Sequence, residues 1–295
     1  MPRSLVVEFT KMNGAGNDFI VIDNRFFNFG DHELSSMARE RCRRRFGIGA
    51  DGLLALEEPE NAAHHFRMRY LNADGSIGTM CGNGARCLVL FARGAGYTEP
   101  NLVFETEAGV YRAKISDSGD SVTLYLPPPY PGLDLVCRTV DTGGLHADRI
   151  SGENIDAYPI WTGTEHAVCF TSDVGAVDVT RLGTRIRRDP GFAPTGVNVD
   201  FVQISDVDGS KATPTIYVRT FEKGVEAETM ACGTGAVAAA LVSAARFLSQ
   251  ATTVRVHMPG GVLSVGIRRD GERIEQLTLE GPAAVVYRGS FDHEA

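Results

Sequence analysis

Two cysteines sit in matching frames about half a chain apart. One frame reads Thr79-Met80-Cys81-Gly82-Asn83-Gly84-Ala85, the other Thr229-Met230-Ala231-Cys232-Gly233-Thr234-Gly235-Ala236. Each places a cysteine just before a Gly-x-Gly-Ala step and ahead of an apolar, helical run. A helix start exposes unpaired backbone N–H groups and about half a positive charge. Glycine there removes side-chain bulk, so a ligand reaches the amides, and a carboxylate suits such a nest. A thiol at the same mouth is expected to have its thiolate stabilised, with a pKa below the free value of about 8.5. One thiolate would take a proton from a carbon beside the carboxylate, and an opposed thiol would return one to the other face. That inverts a stereocentre without moving the substrate, and it requires one thiolate and one thiol at rest. The acid–base step contributes roughly 10²–10⁴-fold per group. The amides must therefore also stabilise the carbanion in a dry site. Cys87 lies mid-helix among apolar residues and reads as core; Cys42, Cys137 and Cys169 lack any supporting frame.

The elements that must carry these thiols follow from the apolar pattern. In the first half, strands are expected at 5–9 and 19–22 around a polar turn at 13–18. A helix follows at 33–46, strands at 53–56 and 66–71, a helix at 84–93, and strands at 102–105, 110–115 and 122–126. The run Pro127-Pro128-Pro129-Tyr130-Pro131-Gly132 breaks the pattern and marks a connector and hinge. The second half repeats the order. Strands are expected at 155–161, 166–171, 197–204 and 215–222, helices at 175–187 and 234–248, and strands at 254–258, 262–268, 275–280 and 283–288. The two cysteine helices are apolar on nearly every side, which marks them as buried. The expected fold is α+β, with two lobes of similar grammar, each a sheet wrapped around one buried helix.

Composition narrows the function classes. The net charge is −8 over 295 residues, against the basic excess of a nucleic-acid binder. The one basic cluster (Arg39, Arg41, Arg43, Arg44, Arg45) reads as a solvated helix face or surface ion pairs. No run of 18 apolar residues is present, so no membrane partner is expected. Charges near the N-terminus interrupt any signal-like apolar region, so a cytoplasmic location with six reduced thiols is expected. No Cys/His spacing suits a metal, and no lysine has the context of a pyridoxal site, so neither metal nor cofactor is expected. Gly47-x-Gly49-x-x-Gly52 fits the dinucleotide fingerprint in letters only. It follows a helical stretch and precedes a strand, the reverse of the required context.

At these residues the chain resembles the diaminopimelate epimerase family over nearly its whole length. The resemblance is carried by the opening block Lys11-Met12-Asn13-Gly14-Ala15-Gly16-Asn17-Asp18-Phe19, by 47–52, and by 72–76 through 81–87. Gly196-Val197-Asn198 and Cys232-Gly233-Thr234-Gly235 complete it. The resemblance implies two pseudo-symmetric lobes with mixed sheets: 1–127 carrying Cys81, joined by the returning segment 280–295, and 128–279 carrying Cys232. It implies a homodimer and a cofactor-independent epimerase converting LL-2,6-diaminopimelate to the meso form for lysine and peptidoglycan precursors. Cys81 and Cys232 would be the two bases, with His166 and Glu222 as supporting groups. Gly82, Asn83, Gly233 and Thr234 would offer backbone amides to the α-carboxylate. Asn17, Gly52, Asn72, Thr164, Asn198, Glu222 and Lys223 would line the substrate. Three departures fall where the distal end of the substrate would be read. Thr164 stands where the family has Asn, Lys223 where it has Arg, and 222–232 is one residue longer, with Glu226-Ala227-Glu228 replacing Gly-Glu. Lysine is a point charge where arginine grips a carboxylate bidentately. A racemase of another amino acid, histidine- or glutamate-like, is the alternative. A dithiol redox protein and a binding protein with a dead site are readings of other classes.

Overall fold

A computed structural model describes residues 4–128, 135–142, 154–205, 213–271 and 273–294. Residues 129–132 of the proline run lie outside the described residues. The chain forms two compact units, Met1–Tyr125 with Gly281–Ala295, and Leu126–Glu280.

In the first unit, strand Ser4–Gly14 turns back through Ala15 and Gly16 into Asn17–Asp23. Both turn residues have positive φ, 52° and 93°, the backbone of a tight two-residue hairpin. The expected loop at 13–18 thus shrinks to two residues. Asn17–Asp23 runs parallel to Gly52–Glu57, which pairs antiparallel with Phe66–Asn72, and Phe66–Asn72 runs parallel to Asn101–Thr106. Helix α1 (Asp31–Arg41) makes the parallel crossover. The chain's last strand, Ala284–Glu294, lies antiparallel to its first. Helix α2 (Gly82–Gly94) packs against Ser4–Gly14, Asn17–Asp23, Gly52–Glu57, Phe66–Asn72 and Gly109–Ile115. The sheet therefore wraps the helix, which buries Ala85, Cys87, Leu88, Val89 and Ala92.

The second unit repeats this order. Asn154–Trp161 turns antiparallel into Glu165–Phe170, which runs parallel to Asn198–Ile204, which pairs antiparallel with Thr215–Glu222, which runs parallel to Thr253–Met258. Helix α3 (Val179–Arg187) makes the crossover, as α1 does in the first unit. It is capped by Asp178, whose side chain accepts from the Arg181 amide, and this cap separates α3 from a 3₁₀ turn at Val174–Ala176. The helix expected over 175–187 is thus two elements. Helix α4 (Gly233–Arg246) buries ten consecutive residues, Gly235 to Ala244. Its small side chains let Glu165–Phe170, Asn198–Ile204 and four further strands pack against it. The fold is therefore α+β, two pseudo-symmetric halves each with a mixed sheet around one buried helix.

The helix expected over 33–46 ends at Cys42. Gly47 and Gly49 donate backbone hydrogen bonds to the carbonyls of Arg43 and Arg41, so the chain folds back on the helix end. A Cβ at Gly47 would lie 2.5 Å from the Glu40 carbonyl oxygen, which no ordinary side chain tolerates. Among the described residues no helix is long and apolar enough to cross a membrane.

Candidate active site

In the first unit the extended Cys81 N-caps α2, its sulfur accepting from the Gly84 amide at 3.5 Å. Asn17, Gly52 and Asn72 lie at one end of three adjacent strands, with Gly52 level with Phe19 on one side and Asn72 on the other. A Cβ at Gly52 would meet the Leu71 carbonyl at 2.6 Å, so the close strand approach demands glycine. Asn83 donates to Asn17 at 2.6 Å, and Asn17 donates to Asp51 at 3.0 Å. Asn72 accepts from the Tyr70 hydroxyl at 2.8 Å and donates to Ser76 at 2.9 Å. The unit thus brings Asn17, Gly52, Asn72 and Asn83 together at the α2 end of its sheet. The asparagine side chains are tied to protein groups rather than left free.

Asp51 was not singled out by sequence. It and Asp18 accept from Arg44, and Lys11 pairs with Asp18 at 2.7 Å while also donating to the Gly49 carbonyl. Arg44 thereby ties the turn after α1 to the Asn17 strand, and that part of the basic cluster is an ion-pair network rather than a helix face. Gly47 and Gly49 serve this same turn.

In the second unit Cys232 N-caps α4 in the same way, its sulfur accepting from the Gly235 amide at 3.4 Å. Behind it runs a chain of polar contacts. The Cys232 sulfur is 3.3 Å from the Thr234 hydroxyl, which is 2.9 Å from His166 Nε2. His166 Nδ1 is 2.7 Å from Asp200, whose other oxygen accepts from the Thr220 hydroxyl at 2.7 Å. His166, Asp200 and Thr220 are fully buried. Proton positions follow from the network. Nδ1–H donates to Asp200, and the Cys232–Thr234–His166 segment has two self-consistent arrangements. In one, the thiol donates to Thr234 and Thr234 to the imidazole; in the other, imidazolium donates to Thr234 and Thr234 to a thiolate.

Burial decides between them. It pushes the Cys232 thiol well above the ordinary range, with the charges of Glu222 and Asp200 adding to the effect. The thiolate stabilisation expected of a helix N-terminus is outweighed here, because desolvation of the anion is larger than two weak donors return. Cys232 therefore rests as a thiol. Burial likewise raises Cys42 and Cys87, each to about 12, and Cys169 further still. Cys137 is exposed, and none of the six cysteines is joined in a disulfide.

Asn198 is buried between neighbours, donating to the Glu165 carbonyl at 3.1 Å and accepting from the Lys223 amide at 2.8 Å. Lys223 pairs with Glu165 at 2.6 Å, and Thr164 donates to the same carboxylate oxygen at 3.2 Å. Thr164 and Lys223 thus meet on one acid. Glu222 is half-buried at the end of Thr215–Glu222, beside Lys223. Between Glu222 and Ala227 the chain makes a turn. Glu226 adopts φ 58° and accepts from Arg187 at 2.8 Å before Ala227–Thr229 pairs back. Asp200 and Thr220 were missed by sequence. The signal for Asp200 was a lone carboxylate in the otherwise apolar run Val199-Asp200-Phe201-Val202.

The sequence matches the diaminopimelate epimerase family over residues 9–130 and 158–286. It is 42% identical over 285 residues to diaminopimelate epimerase of Chlorobaculum tepidum, covering 95% of this chain and 99% of that protein. Against the Aquifex aeolicus diaminopimelate epimerase the identity is 38% over 300 residues, covering 98% and 99%. Among solved structures, a phenazine biosynthesis protein of the PhzF family from Bacillus anthracis superposes with a TM-score of 0.67 at 15% identity, covering 97% of this chain and 99% of that one. A hydroxyproline epimerase from Agrobacterium vitis with bound trans-4-hydroxy-L-proline gives 0.63 at 17%, covering 100% and 95%. These distant likenesses concern the fold; the near-complete match to the curated relatives settles the family. The chain belongs to the diaminopimelate epimerase family.

Proposed function

We propose that the chain epimerises LL-2,6-diaminopimelate to the meso form by two-base chemistry, with Cys81 and Cys232 acting on opposite faces of one α-carbon. The observation that carries this is the matched capping. In a member of this family, each half of the chain ends its sheet motif on a cysteine whose sulfur accepts the amide three residues on, at 3.5 and 3.4 Å. The relatives named diaminopimelate epimerase favour that substrate over other amino acids. The α-carboxylate is assigned to the amides of Gly82, Asn83, Gly233 and Thr234, where the helix partial charge favours an anion.

Cys232, a thiol at rest, is the proton donor in one direction. As its proton passes to the substrate carbon, the Thr234 hydroxyl gives up its bond to His166 Nε2 and turns to donate to the sulfur, and the Gly235 amide remains on it. The new thiolate is thus met by two donors without reorganisation of the backbone. His166, held by Asp200, is the group that accepts from Thr234 while Cys232 is a thiol. Cys81 is the base in the same direction, and the roles exchange in reverse. Every proton is placed on a side chain, so the reading assigns no cofactor. A cytoplasmic location fits six cysteines outside any disulfide, and a homodimer is carried over from the family resemblance. Chiral chromatography of LL-diaminopimelate incubated with the protein tests the reading. Appearance of the meso isomer supports it, and an unchanged substrate overturns it.

A further inference from the structure

We infer that Arg86 is a positioning residue for Cys81, a buried guanidinium that favours the anionic form of that thiol and so breaks the symmetry between the two helix mouths. The inference rests on the two-thiol reading above. Arg86 lies in α2, five residues beyond Cys81, and is fully buried. Its Nη2 donates to the Asn83 side chain at 2.5 Å and its Nε to the Pro282 carbonyl at 3.4 Å, while Nη1 has no hydrogen-bond partner. Among the described residues Arg86 makes no ion pair. A buried charge without a counter-ion is costly, and arginine does not shed its proton to escape. Helical side chains lean toward the N-terminus. The bond to Asn83, in the first turn, keeps the guanidinium at the helix mouth, where its charge adds to the partial charge of the amides and acts on Cys87 first and on Cys81 next.

The second unit provides the internal comparison. At the same offset from Cys232 stands Val237, also buried, so packing at this position needs no cation. Behind the two mouths the contrast reverses. A Cβ on Gly84 would meet Leu54 and Phe19, whereas one on Gly235 would meet Asp200 and Thr220. The strand registers make Leu54 the counterpart of Asp200 and Phe19 that of His166. One mouth thus has a buried cation over an apolar backing, and the other has a buried carboxylate and valine at the position of the cation.

Other charges on the strands packed against α2 are engaged elsewhere. Lys11, Asp18, Arg44 and Asp51 form their own network and bear on Cys42. Asp23 pairs with Arg25, and Arg67 and Arg69 pair with Glu60, Glu107 and Asp31. Glu57 accepts from Asn24, while Glu8, Arg112 and Lys114 are exposed. The thiol of Cys87, the next residue in α2, also feels Arg86, but burial outweighs that charge and keeps the thiol neutral.

Iodoacetamide labelling of the whole protein across a pH series, read at each cysteine by peptide mass spectrometry, tests this without substrate. Thiolate is the reacting form, so the labelling midpoint reports its formation. In the wild type the midpoint of Cys81 is expected below that of Cys232. Arg86→Met should raise the Cys81 midpoint by about one pH unit or more and leave Cys232 in place, while Arg86→Lys, which keeps the charge, should restore it. Equal Cys81 midpoints in wild type and Arg86→Met, or a wild-type Cys81 midpoint at or above that of Cys232, overturn the inference. Labelling of buried Cys42, whose charged neighbours are Lys11, Asp18, Asp51 and Arg44 rather than Arg86, reports any loss of fold in the variants, and the wild-type ranking needs no variant. Failure of the epimerase reading would show instead as absent turnover with these midpoints unchanged.

Discussion

Gly84 and Gly235 hold the same place in the two helix mouths, yet alanine should be tolerated at one and not at the other. A Cβ at Gly235 would lie 2.5 Å from Asp200 Oδ1 and 3.2 Å from the Thr220 hydroxyl. The carboxylate would have to retreat by about 0.9 Å to reach ordinary contact. It is fixed by 2.7 Å bonds to His166 and Thr220, so a retreat breaks at least one. Overpacking costs about 1–3 kcal/mol, and a lost bond to a buried charge about 1.5–3 kcal/mol. The helix-propensity gain of alanine over glycine returns about 1 kcal/mol. The net loss is about 2–5 kcal/mol, which lowers the melting midpoint of a unit this size by roughly 5–15 °C. At Gly84 the nearest atoms are flexible or apolar, Leu54 Cδ2 at 3.2 Å and Phe19 Cε1 at 3.4 Å. Small shifts there cost about 1 kcal/mol, which the propensity gain offsets. Calorimetric melts of Gly84→Ala and Gly235→Ala check the pair. Equal shifts, or a larger loss at Gly84, would refute the claim that a rigid buried carboxylate backs only the second mouth.

Other outcomes follow from the same geometry. Cys81→Ala and Cys232→Ala should each lower kcat/KM for diaminopimelate by at least about 10²-fold with little change in melting midpoint; near-wild-type turnover in either would remove that thiol from the mechanism. Lys223→Met should raise KM by roughly 10-fold, one charge-assisted contact, with kcat nearly unchanged. A fall in kcat alone would place Lys223 in the chemical step instead. The protein should lose stability in alkali. Burial raises Cys42 and Cys87 to about 12 in the folded state, above the free thiol, so their neutral forms stabilise the fold fully below about pH 8.5. As pH rises from there toward 12 the unfolded chain sheds protons that the folded one keeps, and stability falls by about 1.4 kcal/mol per unit for each thiol. Urea midpoints at pH 8 and pH 10 measure this, and Cys42→Val should reduce the slope by one thiol's share. An unchanged slope would mean that Cys42 ionises as readily folded as unfolded.

Much of the fold was legible because apolar runs of the right length carry it. The Ala- and Val-rich stretch after Cys232 could only be a buried helix, and the strands flanking it were bounded within a few residues. What failed to show were features set by distant partners. The stretch 42–46 reads as helix by composition, but Gly47 and Gly49 turn the backbone onto the helix end. Asp200 is a single charged letter in a strand, and its meaning depends on His166, 34 positions earlier. Arg86 is likewise one letter in an apolar helix, given sense only by the Val237 at the matching place. The lowered thiol pKa expected of a helix mouth neglected desolvation. At Cys232 burial is the larger effect, and the two mouths, alike in sequence, differ in the charge behind them.

The most direct test of two-base inversion is to run LL-diaminopimelate in deuterated water and follow deuterium at the α-carbon in substrate and product at initial rates. A thiol that exchanges with solvent delivers its deuteron to the face opposite the one deprotonated. The meso product should therefore carry deuterium at the inverted carbon while recovered LL substrate stays protiated. Deuterium entering the LL pool as fast as inversion, or a meso product that keeps the original hydrogen, would contradict the account.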